Sequence, residues 1–293
     1  MKRVMVSIVS IVTRSDDTGK SYRLALFMAI VVTLMIWGGG ALPDTMMAVN
    51  PAQRSLAPSW QHWLGTDLLG RDMASRTLAG LAQSLKVGLL AAALSTLLAM
   101  VMGMMAALNR SLDRLVSSLT DMMLGMPHFV LLIMVAYAFG GGTVGVTWAV
   151  ALTHWPRLAR LLRHEAKTLV KSDYVQVSRS LGRSNLWLAR HHLMPHLMPQ
   201  WIAGFVVIFP HAILHEAGLS FIGLGIEPHL PSIGVMLANS LNAMLAGFWW
   251  VVLAPGLGLM LVAFGFERLG ERLRRQALPP DRGSSGVSPG QVA

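Results

Sequence analysis

Apolar runs close to membrane-spanning length recur along the chain, separated by short polar stretches. They cover Leu24–Pro43, Val87–Leu108, Met122–Gly140, Val144–Leu162, Leu197–Leu214 and Leu245–Phe266. A helix crosses the hydrocarbon layer with about 17–25 residues, and only helices or closed barrels satisfy their own backbone there. Runs of this length predict an all-α, polytopic membrane protein of about six transmembrane helices. Pro127, inside the third run, predicts a kink. Residues 44–86 read as a polar loop, and residues 215–244, with glycines, prolines and few charges, as a partly immersed or re-entrant one. Arg157, Arg160 and Arg163 follow the fourth run at helical spacing and are placed to snorkel towards headgroups.

The basic residues orient this arrangement. With six spans, every lysine and arginine except Arg54, Arg71, Arg76 and Lys86 falls in a segment on one side. Lys/Arg excess marks the cytoplasmic side, so both termini are expected there. The resulting division is a cytoplasmic N-terminal segment (1–23), a transmembrane domain (24–278) holding a cytoplasmic loop at 164–195, and a Gly/Ser/Pro-rich disordered tail (279–293).

Composition agrees: 54% of residues are hydrophobic and 13% charged, against about 25% charged in soluble chains. The net charge of +10 would suit nucleic acid, but the basic residues flank the spans, so no nucleic-acid partner is expected. With no cysteine, disulfides and thiolate sites are excluded. Thr18-Gly19-Lys20-Ser21 imitates the end of a P-loop, but Arg14 stands where its first glycine belongs and no strand precedes it. The chain is expected to bind no ATP or other cofactor, and to be no enzyme by itself.

In the loop at 62–72, HWLGTDLLGRD, a carboxylate–arginine binding site competes with a glycine-supported turn in which Asp72 pairs with Arg71 or Arg76. The turn is the favoured reading. The second cytoplasmic segment, Asp173–Pro195, carries more pattern. Asp173 is positioned to cap a helix with Val175, Val177 and Leu181 on its apolar side. Gly182 supplies a sharp turn, and Leu186–His192 forms a second short helix ended before Pro195. Such a helix–glycine–helix is a rigid knob suited to a cleft in a soluble protein; an amphipathic interfacial hairpin fits the same residues.

This spacing resembles the signature loop of ABC-importer permeases: Glu-Ala-Ala, three residues, Gly, nine residues, then Ile-x-Leu-Pro. Here Gln176-Val177-Ser178, Gly182 and His192-Leu193-Met194-Pro195 occupy those positions. The glycine and proline match, and the first triplet departs, so the family's glutamate role does not carry over. The 62–72 loop and Glu216-Ala217-Gly218-Leu219-Ser220-Phe221-Ile222-Gly223-Leu224-Gly225 resemble the peptide/opine/nickel branch. The resemblance runs from about residue 60 to 275. It implies a permease subunit in a bacterial inner membrane, paired with a second homologous permease, one or two ABC ATPase subunits that use the ATP, and an extracytoplasmic substrate-binding protein. It also implies an ATPase-coupling loop, here carried by Asp173, Val177, Leu181, Gly182, Arg183 and Pro195.

For cargo, the histidines are the candidates. His211 and His215 share a helix face and Glu216 follows; His128 and His154 lie in other spans. Paired imidazoles suit Ni, Zn, Cu or Co, while the same residues serve equally as hydrogen-bonding partners of neighbouring helices. The order His-x-x-x-His-Glu lacks the glutamate inside the pair that a zincin needs. Thr153-His154-Trp155 and His211–His215 resemble the nickel-importer permeases more than the dipeptide ones. Nickel, or nickel wrapped in a small chelator, is therefore the expected cargo, with a dipeptide or oligopeptide as the alternative.

Overall fold

The computed structural model describes residues 23–42 and 48–277. The predicted N-terminal segment, its P-loop-like string and the predicted tail lie outside them, apart from Arg23. Helix α1 covers Arg23–Gly40, close to the first apolar run. Helix α2, Met73–Leu108, is 36 residues long and starts well before Val87. Asp72 caps it, its carboxylate accepting from the Ser75 N–H at 2.8 Å. The expected loop at 44–86 therefore ends at Asp72. Arg76 looks like a loop charge in the sequence, but inside the helix it is neutralised by Asp67 at 2.5 Å.

Asn109 alone joins α2 to α3, Arg110–Gly125, and caps it by accepting from the Ser111 and Leu112 N–H groups. Pro127 does more than kink the third run. Proline has no N–H and forces Met126 into extended backbone, so α4, His128–Ala138, leaves α3 at 106°. The Gly140–Gly142 turn, all three residues at positive φ, leads into α5, Gly142–Val170. Two of the three arginines expected at headgroups are paired instead with α3. Arg160 holds Asp121 at 2.6 Å, while Arg163 and Lys167 hold Asp113 at 2.5 and 2.6 Å.

Then follow α6, Asp173–Ser180, and α7, Asn185–Leu188, which passes through a π turn at Ala189–Leu193 into α8, Met194–Phe221. Asn185–Phe221 is one helical stretch of 37 residues, so Pro195 ends nothing. It sits in the first turn of α8, where a missing N–H is tolerated. The expected re-entrant loop is largely helical too. Beyond Phe221 a turn leads to α9, Ile233–Leu245, capped by Ser232, and to α10, Trp250–Ala277.

Among the described residues four helical stretches are long and apolar enough to span a membrane, and five if α3 and α4 form one bent span. The remaining expected span, α5, is 29 residues long, but its second half is basic. The architecture is all-helical, as the apolar pattern predicts. Small residues let the helices approach: a Cβ on Gly88 of α2 would lie 2.6 Å from Ile213 of α8, and one on Gly103 would lie 3.1 Å from Leu162 of α5. One core joins α2, α4, α5, α8 and α10 around Leu85, Leu132, Val150, Phe209 and Phe266. A second joins α2, α3, α5 and α8 around Met100, Trp155, Leu162 and Leu197.

Candidate functional site

Helix periodicity writes a stripe onto each of two neighbouring helices. On α8 it is Gln200, Ala203, Gly204, Val207, Ile208, His211 and His215; on α5 it is Thr153, His154, Arg157, Leu158 and Leu161. With Leu124 of α3 and His128 of α4 they enclose a cavity of about 320 Å³. Gly204 fixes the spacing, because a Cβ there would meet the Leu158 side chain at 2.5 Å. Along α8 the lining extends about 22 Å, at 1.5 Å per residue.

Three of the four cavity histidines cluster at one end. The rings of His128, His154 and His215 lie 4.7, 5.0 and 4.9 Å apart by centroid, all edge-on. One ring nitrogen from each lies within 4.8 Å of those of the other two. His211 lines the same cavity a turn away, so the expected pair His211/His215 is replaced by a trio drawn from three helices. Glu216 does not join it. That carboxyl is buried on another face of α8, where the Ser220 hydroxyl donates to Oε1 at 2.7 Å. Arg157, Thr153 and Gln200 share the cavity and were not among the expected cargo residues; helical spacing from His154 and His211 points to Arg157 and Gln200, and Thr153 lies one turn before Arg157. Arg157 is exposed and has no ion-pair partner among the described residues.

The segment 173–195 folds as a helix, a Gly182 turn at φ 79°, and a second helix. Ser172, not Asp173, holds the cap position; Asp173 is the first helical residue, where its charge suits the helix N-terminus. Val175 is fully buried and anchors α6, whereas Val177 and Leu181, expected on the same side, are 59% and 76% exposed. Hydrogen bonds hold the base: Gln176 Nε2 donates to the Val170 carbonyl at 2.6 Å, and the Ser178 hydroxyl and His192 Nε2 lie 2.9 Å apart. The Arg183 guanidinium lies 4.8 Å from the centre of the Trp187 ring. The result is a fixed knob tipped with Val177, Leu181 and Leu186.

At the other end of α2, the 62–72 loop is the turn that the glycines predict, but with different pairing. Asp67, buried, accepts from the N–H groups of Leu69 and Arg71 and from the guanidiniums of Arg71 at 2.8 Å and Arg76 at 2.5 Å. Burial alone would push the Asp67 carboxyl up, but the Arg71 N–H and the two guanidinium charges hold it below the usual carboxylate range. Asp72 takes His62 at 3.1 Å and no arginine among the described residues.

A family described as "Binding-protein-dependent transport system inner membrane component" matches residues 64–277. The chain is 30% identical over 282 residues to the dipeptide transport system permease protein DppC of Bacillus subtilis, covering 96% of this chain and 88% of that one. It is 32% identical over 251 residues to the probable D,D-dipeptide transport system permease protein DdpC of Escherichia coli, covering 85% and 84%. A putative peptide transport system permease of Brucella suis is 32% identical over 259 residues, covering 87% and 86%. Among solved structures, the inward-facing MetNI methionine ABC transporter superposes with a TM-score of 0.52 at 16% identity, covering 69% of this chain and 96% of that one; this speaks for the fold alone. The chain belongs to the family of binding-protein-dependent inner membrane components: it is a multi-pass, non-catalytic ABC-importer permease subunit, with ATP hydrolysis on a separate subunit.

Proposed function

We propose that this permease carries short peptides, or compact ligands of that chemical class, through the cavity between α5 and α8. The relatives' names carry the reading: they are dipeptide and peptide permeases, which favours the alternative cargo over nickel. The cavity suits that cargo. Its walls are mostly apolar, Gln200 and Thr153 offer hydrogen bonds, and the unpaired Arg157 is placed for a peptide carboxylate. In this reading a second homologous permease completes the path and an extracytoplasmic binding protein delivers the peptide.

ATP-driven closure reaches the bundle through the knob at 173–195. Val177, Leu181 and Leu186 enter a groove on the ATPase, Asp173 and Arg183 supply its polar rim, and Gly182 sets the angle between the two helices. The knob's second helix continues into α8, with Pro195 in its first turn, so movement of the knob passes directly into a helix that lines the cavity.

The test is uptake of labelled dipeptide and of labelled nickel, in cells lacking their own importers, by this chain expressed with its neighbouring subunits. ATP-dependent dipeptide uptake is expected; nickel uptake with no dipeptide uptake would overturn the cargo. Leu181→Asp tests the knob. The residue is exposed, so stability should change by less than about 0.5 kcal/mol, while ATPase activity in the assembled complex becomes uncoupled from uptake. Normal coupled uptake in that variant would remove the knob from the mechanism.

A further inference from the structure

We propose that His128, His154 and His215 form a binding site for a divalent transition-metal ion of the Ni, Cu, Zn and Co class, facing the transport cavity. The ion arrives free or already held by a short peptide that leaves a coordination position open. The inference rests on reading the cavity as the path, and adds a metal-bearing form to the cargo class.

Three observations converge. The first is placement: α4, α5 and α8 each contribute one imidazole, and one nitrogen of each lies within 4.8 Å of the other two. Metal–imidazole bonds of about 2.0–2.1 Å need ligand nitrogens about 3.4 Å apart in a tetrahedral site. Small side-chain rotations close the difference.

The second is the state of the rings. His154 Nδ1 lies 3.0 Å from the Val150 carbonyl, and His215 Nδ1 lies 2.7 Å from the His211 carbonyl. A carbonyl only accepts, so Nδ1 carries the proton in both rings and Nε2 is left with its lone pair. A backbone carbonyl holding one nitrogen while the other is presented is the arrangement that orients metal-ligating histidines. The third is that His154 Nε2 is buried with no hydrogen-bond partner among the described residues. Buried polar atoms nearly always have one, so this nitrogen has its lone pair available for a ligand.

The donor set also fixes the class of ion. Three imidazoles with no carboxylate, since Glu216 is turned towards Ser220, suit transition metals and not Mg or Ca. A neutral trio leaves the ion's charge uncompensated and so favours a cargo that brings its own anions. Arg157, three residues from His154 and lining the same cavity, is placed to receive the carboxylate of such a chelate.

The full chain, purified in detergent on a histidine-free tag, is titrated with Co(II) chloride and separately with Co(II)–glycylglycine, and visible d–d absorption is followed. An imidazole-ligated band is expected in the wild type. His154→Gln and His215→Gln should lose it or weaken binding by about 10-fold or more, while His211→Gln keeps it. Response to the ion alone identifies free metal, and response only to the glycylglycine complex identifies the chelate; either supports the site. No band in the wild type, or a band unchanged in both His154→Gln and His215→Gln, overturns it. Elution volume and melting temperature of each variant separate loss of ligands from loss of fold. Because the band needs no transport, failed dipeptide uptake with an intact band would fault the peptide reading alone.

Discussion

Asp67, in the 62–72 loop, and the three cavity histidines are both clusters of polar side chains, and they are built on opposite terms. Around Asp67 both carboxylate oxygens are engaged: two backbone N–H groups and two guanidiniums point at them. Around the histidines, Nδ1 of His154 and of His215 is held by a backbone carbonyl, and His154 Nε2 has no hydrogen-bond partner among the described residues. A buried charge that is fully partnered holds a shape. A buried lone pair without a partner costs stability and persists where something else is bound. The first cluster fixes where α2 begins, and the second faces the space through which cargo is proposed to pass.

Removing the carboxylate should give the largest effect. Asp67→Ala leaves Arg76 buried without its counter-charge, and breaking such a pair costs about 3–5 kcal/mol. Thermal unfolding of the detergent-solubilised chain should show a large fall in melting temperature; an unchanged one would mean that the pair does not hold the loop. Gly70→Ala should follow. Gly70 sits at φ 75°, and a Cβ would run into the Asn50 carbonyl oxygen. The cost should be about 1–3 kcal/mol, read in the same melt, and a variant as stable as the wild type would show that the turn yields freely.

The two regions were unequally legible in the sequence. Gly65, Gly70 and Gly182 announced turns that the fold uses at positive φ, because a backbone requirement is local. Pairing is not. Asp72 stood next to Arg71 in sequence, yet Asp67 reaches Arg71 and Arg76 because the loop folds back to form a Thr66–Asp72 bridge. His211 and His215 shared a helix face as expected, but spacing on one helix says nothing about His128 and His154 arriving from α4 and α5. Arg76 misled as to the start of α2, since its neutralising partner lies nine residues earlier and on a different element. The long apolar helices, by contrast, were readable because a span needs only its own residues.

His154→Leu sharpens the contrast. It removes an unpartnered nitrogen and puts an apolar side chain among Leu158, Ala203 and the rest of the cavity wall. Stability should hold or rise, by about 0–2 kcal/mol, while the Co(II) band disappears. A loss of more than about 1 kcal/mol would place His154 with Asp67, as a structural group.

The smallest effect should come from pH. The Asp67 carboxyl is held below its ordinary value of 3.8 in the folded chain, so it is ionised in both folded and unfolded states near neutrality and its contribution is fully present there. As pH falls below 3.8, the unfolded chain takes up the proton first, and the contribution drains away as the folded-state value is passed. The gap in melting temperature between the wild type and Asp67→Asn should therefore stay constant from pH 7 to about 4.5 and narrow only at more acid values. A gap that already closed between about pH 7 and 5 would mean that another titrating group, and not the Asp67 carboxylate, holds the loop against α2.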